Sequence, residues 1–292
     1  MSLKDKLIVN AALTGMVPTQ ADNPHVPVTP EEIAADARRC VDAGAAILHL
    51  HARDAQGRPT WRPDIYRDIL QRVRALCPDA ILCVSTSGRV FRQFEERSAA
   101  LAIADPPPEM ASLTLGSMNF AREESVNSPS MIRALALKMK DRGIVPELEI
   151  FELGMAEFSH YLIGHEILRP PFYANILLGS LGTLSARPLN LALAVKALPQ
   201  GATWAGAGIG RHQLEVNTLA ITMGGHVRVG LEDNLWLDDR RTPARNAQLI
   251  ERVVGIARAA GREPASPAEA RQIIGLPVPV TGNWKLQLGI RK

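Results

Sequence analysis

The segment Ile47-Leu48-His49-Leu50-His51 sets two imidazoles two residues apart on an apolar run. In an extended chain residues i and i+2 share a face, so His49 and His51 point the same way. Two neutral imidazoles at a strand end form half of a metal site, the favoured reading here; otherwise they are hydrogen-bonded pocket lining. A third ligand is expected from another strand end, and Leu231-Glu232-Asp233 offers a carboxylate in Glu232. Two His and one Glu with a coordination position left open describe a catalytic zinc arrangement rather than a structural one. Read alone, Glu232-Asp233 could equally be acids capping the next helix. Arg228 lies five residues before Asp233, so its guanidinium could hold that carboxylate bidentately as a proton acceptor, or form a plain structural ion pair with it.

Other polar residues stand where chemistry is possible. Gly206-Ala207-Gly208-Ile209-Gly210-Arg211 reads as a phosphate cradle, with bare amides at Gly208 and Gly210 and charge from Arg211. The plainer alternative is a tight turn that needs glycine geometry. Ser85 and Ser112 could donate to a carboxylate or a developing oxyanion, although such serines often only line pockets. Glu149 shares a strand face with Glu147, and an inward carboxylate there reads as functional. The five remaining histidines lack the spacing of the pair and read as structural or surface groups. No nucleophile elbow and no Gly-x-x-x-x-Gly-Lys loop is present.

These residues must be positioned by something, and the chain alternates short apolar runs with stretches of helical period. Strands are predicted at Leu7–Leu13, Ala46–His51, Ala80–Ser85, Met110–Leu115, Val145–Phe151, Phe172–Leu178, Thr203–Ala207 and Val227–Leu231. Helices are predicted near 30–43, 63–76, 95–103, 129–142, 155–168, 187–198, 212–223 and 242–260, with a short one near 267–274. Thr29-Pro30-Glu31-Glu32 and Ser266-Pro267-Ala268-Glu269 have the form of capping boxes with proline at the first helical position, and Gly44 suits a left-handed helix stop. Eight β-then-α units predict a single (β/α)8 TIM barrel over residues 1–275, with a C-terminal extension at 276–292 packed on the barrel or on another subunit. Barrel chemistry sits at the C-terminal strand ends, which also places Thr14 and Thr114 at the site.

Composition closes off other classes. Apolar residues make up 46% and charged residues 22%, ordinary for a folded protein with a large core. The formal charge of +3 comes from interspersed signs, and aromatics are only 4%, so neither a basic stripe nor a base-stacking surface for nucleic acid is expected. No apolar run reaches the ~18 residues of a membrane span, and the N-terminus does not read as a signal peptide. Cys40, Cys77 and Cys83 have no CxxC spacing and read as reduced thiols of a cytoplasmic protein.

The combination of Thr14-Gly15 with Pro27 to Glu32, His49-Leu50-His51, Pro108 to Ser112, Val145-Pro146-Glu147, Trp204 to Arg211, and Gly224 to Asn234 resembles the beta-keto acid cleavage enzymes from about residue 7 to 275. The resemblance implies the barrel fold and one zinc ion per subunit on His49, His51 and Glu232. It also implies acetyl-CoA as co-substrate, conversion of a β-keto acid to acetoacetate and a shorter acyl-CoA, and a homotetramer. Asp233 and Arg228 would then be the proton-abstracting unit, Ser85 and Glu149 substrate contacts, and Ser112 the counterpart of a threonine in the type member. Val17 departs from the pattern: the aminohexanoate enzymes carry glutamate there, and an isopropyl group cannot pair with a substrate ammonium. Arg89 could instead meet a second carboxylate of the substrate, although a surface position is the slightly preferred reading. The rival functions are a zinc-dependent barrel hydrolase that needs no CoA and a non-catalytic metal- or acyl-CoA-binding barrel.

Overall fold

A computed structural model describes residues 2–121, 123–238 and 241–276. Eight parallel strands close into a barrel: β1 (Val9–Ala12), β2 (Ile47–Leu50), β3 (Ile81–Val84), β4 (Met110–Thr114), β5 (Val145–Ile150), β6 (Tyr173–Leu178), β7 (Thr203–Gly208) and β8 (His226–Val229). Neighbours in sequence are neighbours in the barrel, and β8 returns to β1 through Arg228 opposite Asn10. All eight predicted strands are present, so the TIM barrel is the fold. Helices fill the connections: α1 (Pro30–Asp42), α2 (Pro63–Leu76), α3 (Phe94–Ser98), α4 (Pro129–Arg142), α5 (Leu153–Gly164), α6 (Pro188–Ala197), α7 (Gln213–Thr222) and α8 (Asn246–Ala259). A ninth helix, α9 (Pro267–Ile274), follows them. No helix among the described residues is long and apolar enough to cross a membrane.

The predicted caps form. Thr29 and Glu32 close a reciprocal box at the start of α1, and Ser266 and Glu269 do the same for α9. Three helices depart from their predicted bounds, among them α5, which runs over Leu153–Gly164 rather than near 155–168. The last barrel helix begins at Asn246, not near 242, because the Asn246 side chain is spent on the barrel: it accepts from the Leu231 amide and donates to Leu13 and Asp36. The third is α3 followed by a 3-10 turn at Ala99–Ala102. The extension beyond Leu276 lies outside the described residues.

Inside the barrel, inward side chains recur every second residue and form layers. Ile8, Ile47, Ile81, Met110, Tyr173 and Ala205 make an apolar base, closed from below by Ala270 and Ile274 of α9. Arg271 pins that helix: it is 2% exposed and donates to Glu109, with Nη2 2.8 Å from Oε2. Glu109 therefore serves the base of the fold and not the site. Two residues further along most of the strands the lining turns polar, with Asn10, His49, Cys83, Glu147, Asn175 and Arg228 all buried. An apolar plug thus supports a polar layer, and the reactive mouth lies above it.

Candidate active site

Glu147 organises the polar layer. Its Oε1 accepts from the amides of Asn10 at 2.5 Å and Asn175 at 2.8 Å, while Oε2 accepts from His49 Nδ1 at 2.7 Å and from the Cys83 thiol at 3.4 Å. With Nδ1 committed to a carboxylate, Nε2 of His49 faces His51 Nε2 at 3.1 Å and Glu232 Oε2 at 3.6 Å. His51 Nε2 stands 3.2 Å from Glu232 Oε1. Two imidazole nitrogens and one carboxylate from β2 and the end of β8 therefore converge.

These donors fit a divalent cation. Glu232 Oε2 is buried and accepts no hydrogen bond, which the chemistry of a carboxylate disfavours unless a cation serves it. His51 is kept neutral by burial, as a ligand must be. His49, Cys83 and Glu147 also cluster, but burial pushes the thiol well above its ordinary range, so Cys83 stays a hydrogen-bond donor rather than a thiolate ligand.

Charge supports the same reading. One guanidinium, Arg228, is 1% exposed and meets four carboxyl groups: Asp233 and Glu232 at 2.9 Å, Glu149 at 3.2 Å and Glu147 at 3.9 Å. Such a cluster is short of positive charge, and the protein makes up the deficit with protons. Burial disfavours a charged His49, but Glu147 and Glu232 outweigh it and raise its pKa to about 9. Burial, aided by neighbouring carboxylates, also lifts Glu149 and Asp233 above the usual carboxylate range despite Arg228. Glu147 goes the other way, to about 2, because His49 and Arg228 overcome its burial. A cation on the His49, His51, Glu232 side would supply what those protons supply.

Asp233 is gripped at both oxygens, with Arg228 Nε 2.9 Å from Oδ2 and Nη2 3.3 Å from Oδ1. Glu149 accepts from Thr114 Oγ1 at 2.6 Å and so braces Arg228 from the other side. Ser85 accepts from the Ser87 amide at 3.2 Å, which leaves its own hydroxyl hydrogen to point elsewhere. Ser85, Thr114, Glu149, Val17 and Arg89 line, with the histidines and the Glu232-Asp233 pair, an open cavity of about 100 Å³. Arg89 is therefore a cavity residue, its side chain 19% exposed, and not a freely solvated one.

Three expectations need correction. Thr14 does not line the cavity; its hydroxyl donates to the Pro27 carbonyl at 3.0 Å and ties down the loop into α1. Ser112 lies one layer too deep, where its hydroxyl accepts from the Thr86 amide and its carbonyl accepts from the Thr86 hydroxyl. It shapes the loop that presents Ser85. The glycine-rich turn offers no bare-amide cradle, since the amides of Ile209, Gly210 and His212 donate to the carbonyls of Leu178, Asp233 and Ile209. Gly208 is needed for packing, because a Cβ there would collide with the His212 backbone, and Arg211 is exposed.

Sequence reasoning missed the hairpin of Met118–Asn119 and Glu124–Ser125, which brings Phe120 over the cavity. Two-residue strands carry no periodic signal. It also passed over Glu147 as the partner of His49, although the shared face with Glu149 was visible.

The sequence profile of the beta-keto acid cleavage enzymes matches residues 6–276. The chain belongs to the beta-keto acid cleavage enzyme family. It is 40% identical over 275 residues to a 3-keto-5-aminohexanoate cleavage enzyme of Fusobacterium nucleatum, covering 94% of this chain and 99% of that one. It is 35% identical over 273 residues to a 3-oxoadipate:acetyl-CoA acetyltransferase of Cupriavidus necator, covering 92% and 95%. Among solved structures, the binary complex of ObcA with oxaloacetate superposes with a TM-score of 0.74 at 25% identity, covering 87% of this chain and 68% of that chain.

For this family member the brace behind His49 has a measurable consequence. Glu147→Gln keeps the shape but replaces the acceptor facing Nδ1 with an amide that can also present N–H. Divalent-metal affinity is expected to fall by about 10–100-fold, read by titration against a chromogenic chelator. Unchanged affinity would show that Glu147 does not orient His49.

Proposed function

We propose that the protein carries out acetyl-CoA-dependent cleavage of a β-keto acid, giving acetoacetate and a new acyl-CoA, with zinc on His49, His51 and Glu232. The observation that carries this reading is the convergence of those three donors beside an acid, Asp233, held at both oxygens by Arg228. Zinc, when bound, supplies a Lewis acid toward the ketone and carboxylate oxygens of the substrate and so favours its enolate.

The chain's residues do the rest. Asp233 takes the α-proton, and the bidentate grip of Arg228 fixes which oxygen lone pairs face the substrate. The buried site holds Asp233 above the ordinary carboxylate range, which makes it a stronger base than a surface aspartate. The Ser85 hydroxyl, free to donate, holds the substrate carboxylate at the cavity wall. The α-carbon then bonds to the acetyl carbon of the thioester, the CoA sulfur moves to the former ketone carbon, and the bond between that carbon and the α-carbon breaks. The acetoacetate enolate released by that cleavage takes back the proton held by Asp233, acetoacetate leaves with the acetyl group, and the remainder departs as acyl-CoA, so atoms balance and no redox partner is needed.

Val17 sits at the cavity wall, 43% exposed, where it offers no carboxylate to an ammonium group. An amino-bearing β-keto acid is therefore expected to be a poor substrate. The test is a panel of β-keto acids with zinc-loaded protein, assayed for acetoacetate with and without acetyl-CoA. Acetoacetate is expected only with both substrates present, and faster for acids without an amine. Conversion independent of acetyl-CoA would favour metal-dependent hydrolysis, and an amine preference would overturn the reading of Val17.

A further inference from the structure

The other arginines around the site direct their Nη groups to protein acceptors. Arg228 meets four carboxyl groups. Arg53 donates to the carbonyls of Gly15, Pro18 and Gly57, and Arg97 to the carbonyls of Thr86 and Val126 and to the Asn127 side chain. Arg89 is different. Its guanidinium carbon lies 3.5 Å from the centroid of the Phe120 ring, and its nearest acid is Glu123, 3.8 Å from Nε and 48% exposed. Among the described residues its side chain makes no hydrogen bond. Stacking on a ring occupies one face of the guanidinium and leaves the in-plane N–H fork open, the geometry that takes a carboxylate. Away from the metal-side donors the wall offers apolar groups such as Val17, Phe151, Leu177 and Ile209 and the neutral hydroxyls of Ser87 and Ser125, so Arg89 is the cation there that can pair with a charged group.

We infer that Arg89, stacked on Phe120, is a specificity-determining residue for a second carboxylate, so that the substrate is a 3-oxo-dicarboxylate. This rests on the proposed function above and names the substrate class it leaves open. The metal-side donors take the β-keto acid end, while Arg89 takes the far carboxylate. An anion there also relieves the cost of holding a mostly desolvated cation beside an apolar wall.

3-Oxoadipate and 3-oxohexanoate test this directly, since both have six carbons and differ in a terminal carboxylate against a methyl. With acetyl-CoA saturating, native protein is expected to favour the diacid at least tenfold in kcat/KM, mostly through KM. Arg89→Met should bring that ratio below about threefold, and Arg89→Lys should recover part of it. Glutarate, which cannot react, should bind the native protein in calorimetry at least tenfold more tightly than it binds Arg89→Met. Equal use of the two keto acids by native protein would overturn the inference and leave the β-keto acid reaction standing. So would a loss in Arg89→Met confined to the KM of acetyl-CoA, which would make Arg89 a phosphate anchor. Failure to turn over any β-keto acid would instead overturn the parent reading, and the substrate class with it.

Discussion

Asp233→Asn is expected to lower acetoacetate formation by about 10²–10⁴-fold while the affinity for the proposed metal and the melting temperature stay as they are in the native protein. The substitution is nearly isosteric, and its amide oxygen can still accept from Arg228 Nε, which lies 2.9 Å from Oδ2. Arg228 retains Glu149, Glu232 and Glu147, so the cluster loses one charge and one bond of the pair at Asp233. None of the three metal-side donors is replaced. What disappears is the only function an amide cannot perform there, acceptance of a proton. Enzyme-catalysed exchange of the substrate α-hydrogens into deuterium oxide, followed by proton NMR without acetyl-CoA, isolates that step from the later carbon–carbon chemistry. Exchange and turnover should fall together. Full exchange in the variant would remove Asp233 from the role of base, and loss of bound metal would move its role to holding Glu232.

Much of this arrangement is legible in the sequence because barrel strands obey a period of two. His49 and His51 share a face for the same reason that Ile47 does, and the same rule stacks Ile8 under Asn10 and Tyr173 under Asn175. Strand order fixes the meeting of distant residues: once β8 closes against β1, Glu232 must come near the end of β2. Depth is harder to read. Ser112 and Thr114 differ by one layer, and only the pairing of Ser112 with Glu147 and Thr114 with Glu149 decides which reaches the cavity. The turn after β7 misleads for a related reason. Its glycines look bare in the sequence, yet the amides of Ile209 and Gly210 are taken by the carbonyls of Leu178 in β6 and of Asp233, partners far away in the chain. Loops that carry specificity are the least legible, as the hairpin holding Phe120 shows: its two short strands are set by mutual pairing, not by a pattern either strand displays.

Arg228→Met should destabilise the fold by about 3–5 kcal/mol, the usual cost of removing one partner from a buried ionic cluster. The reason is geometric. Arg228 is the one described residue whose charge reaches Glu147, Glu149, Glu232 and Asp233 within 4 Å, and a thioether of similar length leaves those carboxyl groups facing one another. A fall in Tm of roughly 6–20 °C is expected for a domain of this size, at about 2–4 °C per kcal/mol. The proposed metal makes the prediction sharper. A divalent cation and the guanidinium oppose the same carboxylate charge, so each should matter more when the other is gone. Removing metal with a chelator should therefore lower the Tm of Arg228→Met by more than it lowers that of the native protein. Arg228→Lys should recover only part of the loss, since a single ammonium cannot contact four carboxyl groups at once. Equal chelator shifts in the two proteins would mean that guanidinium and cation act independently, and an unchanged Tm would mean that the four acids hold protons enough to do without either.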